Sequence, residues 1–182
     1  MLMVDSEVRD RIRAYAGARA YSGATTERWL RLASHDGDAL LQLAIELRLG
    51  ENQLRDLWDW AEEIAGRDRL TLRDVLAAPP VATAQARALG RNDKLTAIKS
   101  ALRRLRFPQL AAVEDRLGLL IRSMQLPRDV RVALPAHLEG DQVRIEITVA
   151  SADAWRLAAA ALLAAADSPA CSELFALLGE AP

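Results

Sequence analysis

The chain has 182 residues, 51% hydrophobic, 27% charged and 4% aromatic, a length that suits one ordinary domain or two small ones with a real core. Its 24 basic and 25 acidic residues leave a net charge of −1, which with that apolar fraction excludes a disordered chain and shows no global excess directed at nucleic acid or anionic lipid. Cys171 is the only cysteine, so a disulfide-built scaffold is excluded too.

The first residues, Met1 to Val4, meet charge at once in Asp5, Glu7, Arg9 and Asp10, which is no secretory signal. The longest apolar stretch, Leu157 to Ala166, is mostly alanine and half the length of about 20 residues that spans a bilayer. The expectation is a cytoplasmic protein with no membrane partner.

In chain order, residues 1–78 read as a helical module. Asp5-Ser6 suits the start of a helix through Val8, Ile12 and Tyr15, with Ser22-Gly23 as a stop. Thr25 or Thr26 opens a second helix, carrying Trp29 and Leu30. Asp38 opens a third through Leu47, with Gly50 as its C-cap. Leu54, Leu57, Trp58, Ala61, Ile64 and Ala65 then form one stripe of a 3.6-residue period, ended by Gly66. Thr71-Leu72-Arg73-Asp74 reads as a capping box with Asp in place of Glu, opening a short helix to Leu76.

Pro79-Pro80 stops that helix, and residues 79–92 read as a linker. Residues 93–182 read as an α+β module: helix, helix, antiparallel hairpin, helix, helix. Leu95, Ile98, Leu102 and Leu105 stripe the first helix, and Pro108 opens the second. The period then changes to 2. Val130, Val132 and Leu134 alternate with Arg131 and Ala133, while Val143, Ile145, Ile147 and Val149 alternate with Arg144, Glu146 and Thr148. Glu139-Gly140-Asp141 supplies the turn between them. Ser151 caps an alanine-rich helix with Trp155, Leu162 and Leu163. The last helix opens at Ser168-Pro169 and places Cys171 beside Leu174, Phe175 and Leu178, a spacing that predicts a buried thiol. The fold class is therefore α+β and predominantly helical. A two-stranded hairpin is marginal alone, so the flanking helices must cover it, or a second copy must extend it to four strands.

No motif identifies a reaction. One cysteine and two histidines, His35 and His137, assemble no zinc pattern, and no phosphate-cradling glycine loop or nucleophile elbow occurs. No cofactor is implied. His35-Asp36-Gly37-Asp38 falls between two helices and reads as capping chemistry.

Two opposed charge runs remain. Residues 51–63 carry Glu51, Asp56, Asp59, Glu62 and Glu63 against Arg55. With Trp60 about 100° off the core stripe, Trp60, Asp56, Asp59 and Glu63 are candidates for docking a basic partner, set against a plain solvated face. Residues 91–106 carry six cations against Asp93, and Lys99, Arg103 and Arg106 project within about 60° of each other. That row is a candidate for weak nucleic-acid binding. It equally suits pairing with the acidic run, in the same chain or another, or ordinary surface. Helix-turn-helix spacing fails, because Ala44 and Gly50 are six apart and the following helix is acidic.

The order basic helix, amphipathic helix, strand, turn, strand, helix over residues 93–166 resembles the C-terminal dimerisation domains of ParB-type chromosome-partition proteins. Glu51-Asn52-Gln53-Leu54-Arg55 also resembles a Glu-Asn-x-x-Arg element of that family. The family's other nucleotide-pocket motif and its central helix-turn-helix are missing. What the resemblance implies is dimerisation and DNA association.

The sequence thus predicts a non-catalytic interaction or adaptor protein, a homo-oligomer or one with a protein partner, with a basic helix suited to nucleic acid. The alternatives are a subunit of a larger assembly docked through the acidic helix, and an enzyme or small-ligand protein using carboxylates and arginines in a groove.

Overall fold

The computed structural model describes residues 2–135 and 138–179, so His137 lies outside the described residues. The protein is predominantly helical with one two-stranded antiparallel sheet, an α+β fold. It divides into two units, Met1–Phe107 and Pro108–Pro182.

The N-terminal unit holds α1 (Leu2–Ala18), α2 (Gly23–Leu30), α3 (Ser34–Leu47), α4 (Glu51–Asp68), α5 (Leu72–Leu76), α6 (Pro79–Ala86) and α7 (Arg91–Arg106). The stripe expected on α4 is its buried face: Leu54, Leu57, Trp58, Ala61 and Ile64 are all sealed from solvent. Around it close Trp29, Leu40, Leu41, Leu47 and, from α7, Ile98 and Leu102. Trp29 donates its indole N–H to the Gly37 carbonyl at 3.2 Å. A β-carbon at Gly37 would stand 3.3 Å from Ile12 Cδ1, so glycine lets α1 and α3 approach there.

The capping box forms as expected. Thr71 Oγ1 accepts from Asp74 N at 3.1 Å, and Asp74 Oδ2 accepts from Thr71 N at 3.1 Å. Other helix ends fall elsewhere. Ser22 caps α2 by accepting from Thr25 N, so that helix opens at Gly23. Gly50 is the N-cap of α4 rather than the C-cap of α3; Arg48, left-handed at φ 46°, closes α3. Arg69, also left-handed, caps α4, whose last residue, Asp68, lies two past Gly66.

Residues 79–92 are not merely a linker. Pro79 and Pro80 occupy the first turn of α6, where a missing N–H costs no helical hydrogen bond, and Val81 and Ala84 enter the core. Helix α7 packs on α4 and α6 and belongs to the N-terminal unit, which runs to Phe107 instead of ending at residue 78.

The C-terminal unit therefore reads helix, hairpin, helix, helix: α8 (Pro108–Ser123), β1 (Val130–Ala133), β2 (Arg144–Ile147), α9 (Ala152–Ala166) and α10 (Pro169–Gly179). The hairpin register pairs Val130 with Ile147, Arg131 with Glu146, Val132 with Ile145 and Ala133 with Arg144. Gly140, at φ 122°, takes a turn conformation that side-chain-bearing residues rarely adopt. A small core forms from Leu117 and Leu120 of α8, Leu138, and Leu174 and Leu178 of α10, with Leu134 and Val143 packed on it.

Candidate functional site: a charged seam and an apolar surface

The two charge runs meet within the N-terminal unit. Helices α4 and α7 pack side by side, and Lys99 Nζ lies 2.8 Å from Asp56 Oδ2, residues 43 apart in sequence. Arg106 Nη2 lies 2.7 Å from Glu63 Oε2 at the same separation, so the helices run parallel and the contact repeats after two turns. Trp60 sits between these rungs. Lys99 Nζ is 5.9 Å and Arg106 Cζ 5.8 Å from its ring centre, the outer range of cation–π attraction. Arg106 also stacks 4.9 Å from the Phe107 ring.

The remaining acids face α2. Asp59 Oδ1 stands 2.7 Å from Arg28 Nη1, and Glu62 Oε2 stands 2.6 Å from Arg28 Nη2. The Arg28 guanidinium lies 4.1 Å above the Trp58 ring, and its pKa is raised further by the two carboxylates despite partial burial. Lys94 joins the seam through Glu46 at 2.8 Å. Arg67 of α4 donates to the Leu105 and Arg106 carbonyls at 2.7 and 2.6 Å, closing the last turn of α7. Asp56, Asp59, Glu63 and Trp60, read as a docking surface, and Lys99 and Arg106, read as a phosphate row, are thus engaged with one another or with Arg28. Arg103 has interactions of its own.

Glu51 has a separate role that the sequence did not reveal. Its carboxylate accepts from Ser22 N at 3.1 Å, from Ser22 Oγ at 2.5 Å and from the Thr25 hydroxyl, tying α4 to the start of α2. These hydrogen bonds hold its pKa below the ordinary carboxylate value. Nearby, the Leu49 carbonyl accepts from Tyr15, Tyr21 and Arg19, and burial pushes the Tyr21 hydroxyl pKa well up. Asp36 accepts from Arg73 N at 2.8 Å, a capping role for that residue. Among the described residues, no group of three or more His, Cys, Asp or Glu side chains is placed to hold a metal ion.

The C-terminal unit offers the second feature. Helix α9 buries Ala158 and Ala165, while Trp155 is 64%, Leu157 66% and Leu163 67% exposed. From Leu157 to Ala166 the helix carries no charge. Its two charged residues, Asp153 and Arg156, pair with each other at 2.6 Å. Phe175 of α10 is half exposed, and Cys171 is only partly buried because Leu174 and Leu178 take the core face. On β2, Ile145 and Ile147 are 51% and 41% exposed although they lie on the apolar side of the hairpin. Sequence periodicity located these side chains but not their exposure, since alanines fill the contact face of α9. Among the described residues no single helix is long and apolar enough to cross a membrane; α9 and α10 together reach that length, but the pair is bent by 67°. In comparisons with known proteins, no family model, no curated protein and no solved structure matches the chain.

Proposed function

We propose that this chain is a non-catalytic interaction protein that self-associates through its C-terminal unit, with the N-terminal helical unit as the module it brings together. One observation carries the reading: α9 turns alanine inward and Trp155, Leu157 and Leu163 outward. A helix that is apolar all round belongs inside something, and here the larger side chains have no cover. The exposed Ile145 and Ile147 of the hairpin extend the same chemistry within that unit.

A protein surface suits this face better than a polyanion. Residues 108–182 hold six arginines and ten acids, and α10 has no basic residue in its first or last turn. That unit is therefore net acidic, which disfavours a polyanion where the apolar surface lies. In the N-terminal unit, the row once suited to phosphate has Lys99 and Arg106 engaged with Asp56 and Glu63, which supports an architectural role for the seam.

The test is the molar mass of the purified chain by light scattering or sedimentation from about 1 to about 100 µM. The expected result is twice the mass of one chain at the upper concentrations. Leu163→Glu, on a residue outside the cores, should shift the protein to one chain without loss of helix content. A single-chain mass throughout the range overturns the proposal.

A further inference from the structure

We propose that β2 is the seam between two copies: two β2 strands pair antiparallel about Ile145, with Arg144 of each copy facing Glu146 of the other. This rests on the self-association just argued and names the strand and register that accomplish it.

The backbone fixes which groups are available. Thr148 N donates to the Asp129 carbonyl at 2.8 Å, in register with the hairpin pairing. Strand groups alternate sides, so Arg144 and Glu146 also direct their backbone groups to β1. Val143, Ile145 and Ile147 direct theirs to the outer edge, where no strand pairs among the described residues.

Only a few registers bring these outward groups of two copies together. Centring the pair on Arg144 sets arginine against arginine, and centring it on Glu146 sets glutamate against glutamate. Centring it on Ile145 sets Arg144 against Glu146 twice, Ile145 against its own copy and Ile147 against Val143. Like charges directly opposite are unfavourable and opposite charges favourable, so the Ile145 register is selected. Within one chain, Arg144 Nε already lies 3.1 Å from Glu146 Oε1, both on the polar side of the strand.

The other edge is less suited. Val130 N–H, which points outward from β1, donates instead to the Pro127 carbonyl at 3.0 Å, and proline has no N–H to offer. The charge complementarity is specific to a second copy of this chain, because it arises from the strand meeting its own reversed sequence.

Charge reversal tests this directly. Arg144→Glu gives a chain with two glutamates on that side of the strand, and Glu146→Arg gives one with two arginines. Each alone should dissociate at least about tenfold more readily than the unmodified protein, because each dimer contains the disfavoured contact twice. Mixing the two variants should restore a heterodimer of near-original affinity, and the double variant R144E/E146R should dimerise by itself. Arg144→Glu, which faces Ala133 within the hairpin, keeps the test informative if a variant at Glu146, opposite Arg131, folds poorly. A dimer indifferent to every reversal, yet broken by Leu163→Glu, overturns the β2 seam while leaving self-association standing. A single-chain mass for the unmodified protein up to about 100 µM overturns both.

Discussion

Lys99 Nζ stands 2.8 Å from Asp56 Oδ2, and Arg106 repeats the relationship with Glu63 two turns along the same parallel helix pair. Side chains at these rungs are part exposed, so each contact is a modest one. The first prediction concerns their coupling. Asp56→Lys should lower the stability of the protein by roughly 0.5 kcal/mol, and the swap D56K/K99D should recover most of it. A double-mutant cycle in chemical denaturation measures the coupling; additive losses would show that the rung contributes nothing.

The same pairing sets an expectation for nucleic acid. A phosphate would have to displace Asp56 from Lys99 and Glu63 from Arg106. Titration of duplex DNA at about 50 mM salt should therefore show no saturable binding at tens of micromolar protein. Replacing Lys99, Arg103 and Arg106 by Ala should instead reduce stability. Binding whose log–log salt slope reaches about −2 to −3, and flattens in that triple variant, would return the row to a phosphate-contacting role.

Glu51 makes stability depend on acid. Its carboxylate is the acceptor for Ser22 and Thr25, and its pKa in the folded chain is held below the ordinary value of 4.5. A depressed folded pKa contributes stability that is present above the unfolded value and lost as pH falls through the folded one. Glu51→Gln should thus melt earlier than the unmodified protein at pH 7, with the difference shrinking below pH 4.5. Thermal midpoints measured across that range check the sign. Asp74 and Asp68 are shifted in the same direction, so both proteins keep an acid limb.

Arg48 holds a left-handed backbone at φ 46° with an exposed side chain. Glycine reaches that region without the β-carbon clash, and helices favour it there. Arg48→Gly should raise stability by about 0.5 to 1 kcal/mol, measured by denaturant unfolding. Its carbonyl, which accepts from Arg91 at 3.1 Å, is kept.

What the sequence revealed depended on how local the cause was. The Thr71–Asp74 capping box spans four residues and could be read directly, as could the change of period at Val130. Pro79-Pro80 is ambiguous because proline ends one helix and opens another by the same property, its missing N–H. Lys99 and Asp56 belong to visible charge runs, yet their meeting needs helices 43 residues apart to lie in parallel register. On α9, a 3.6-residue period locates faces without ranking them, and nothing in the spacing says that alanine, not tryptophan, takes the inner one.

The turn ahead of β1 has a consequence for assembly size. Exposed sheets with two available edges add strands indefinitely and grow into fibres. Here Val130 N–H is committed to Pro127 on one edge, while the other edge, β2, is open. Two chains joined edge to edge along β2 would present only β1 strands at their outer margins, each with its Val130 N–H already taken by its own Pro127 carbonyl. Joining through β2 would then favour closure at two copies over addition of a third.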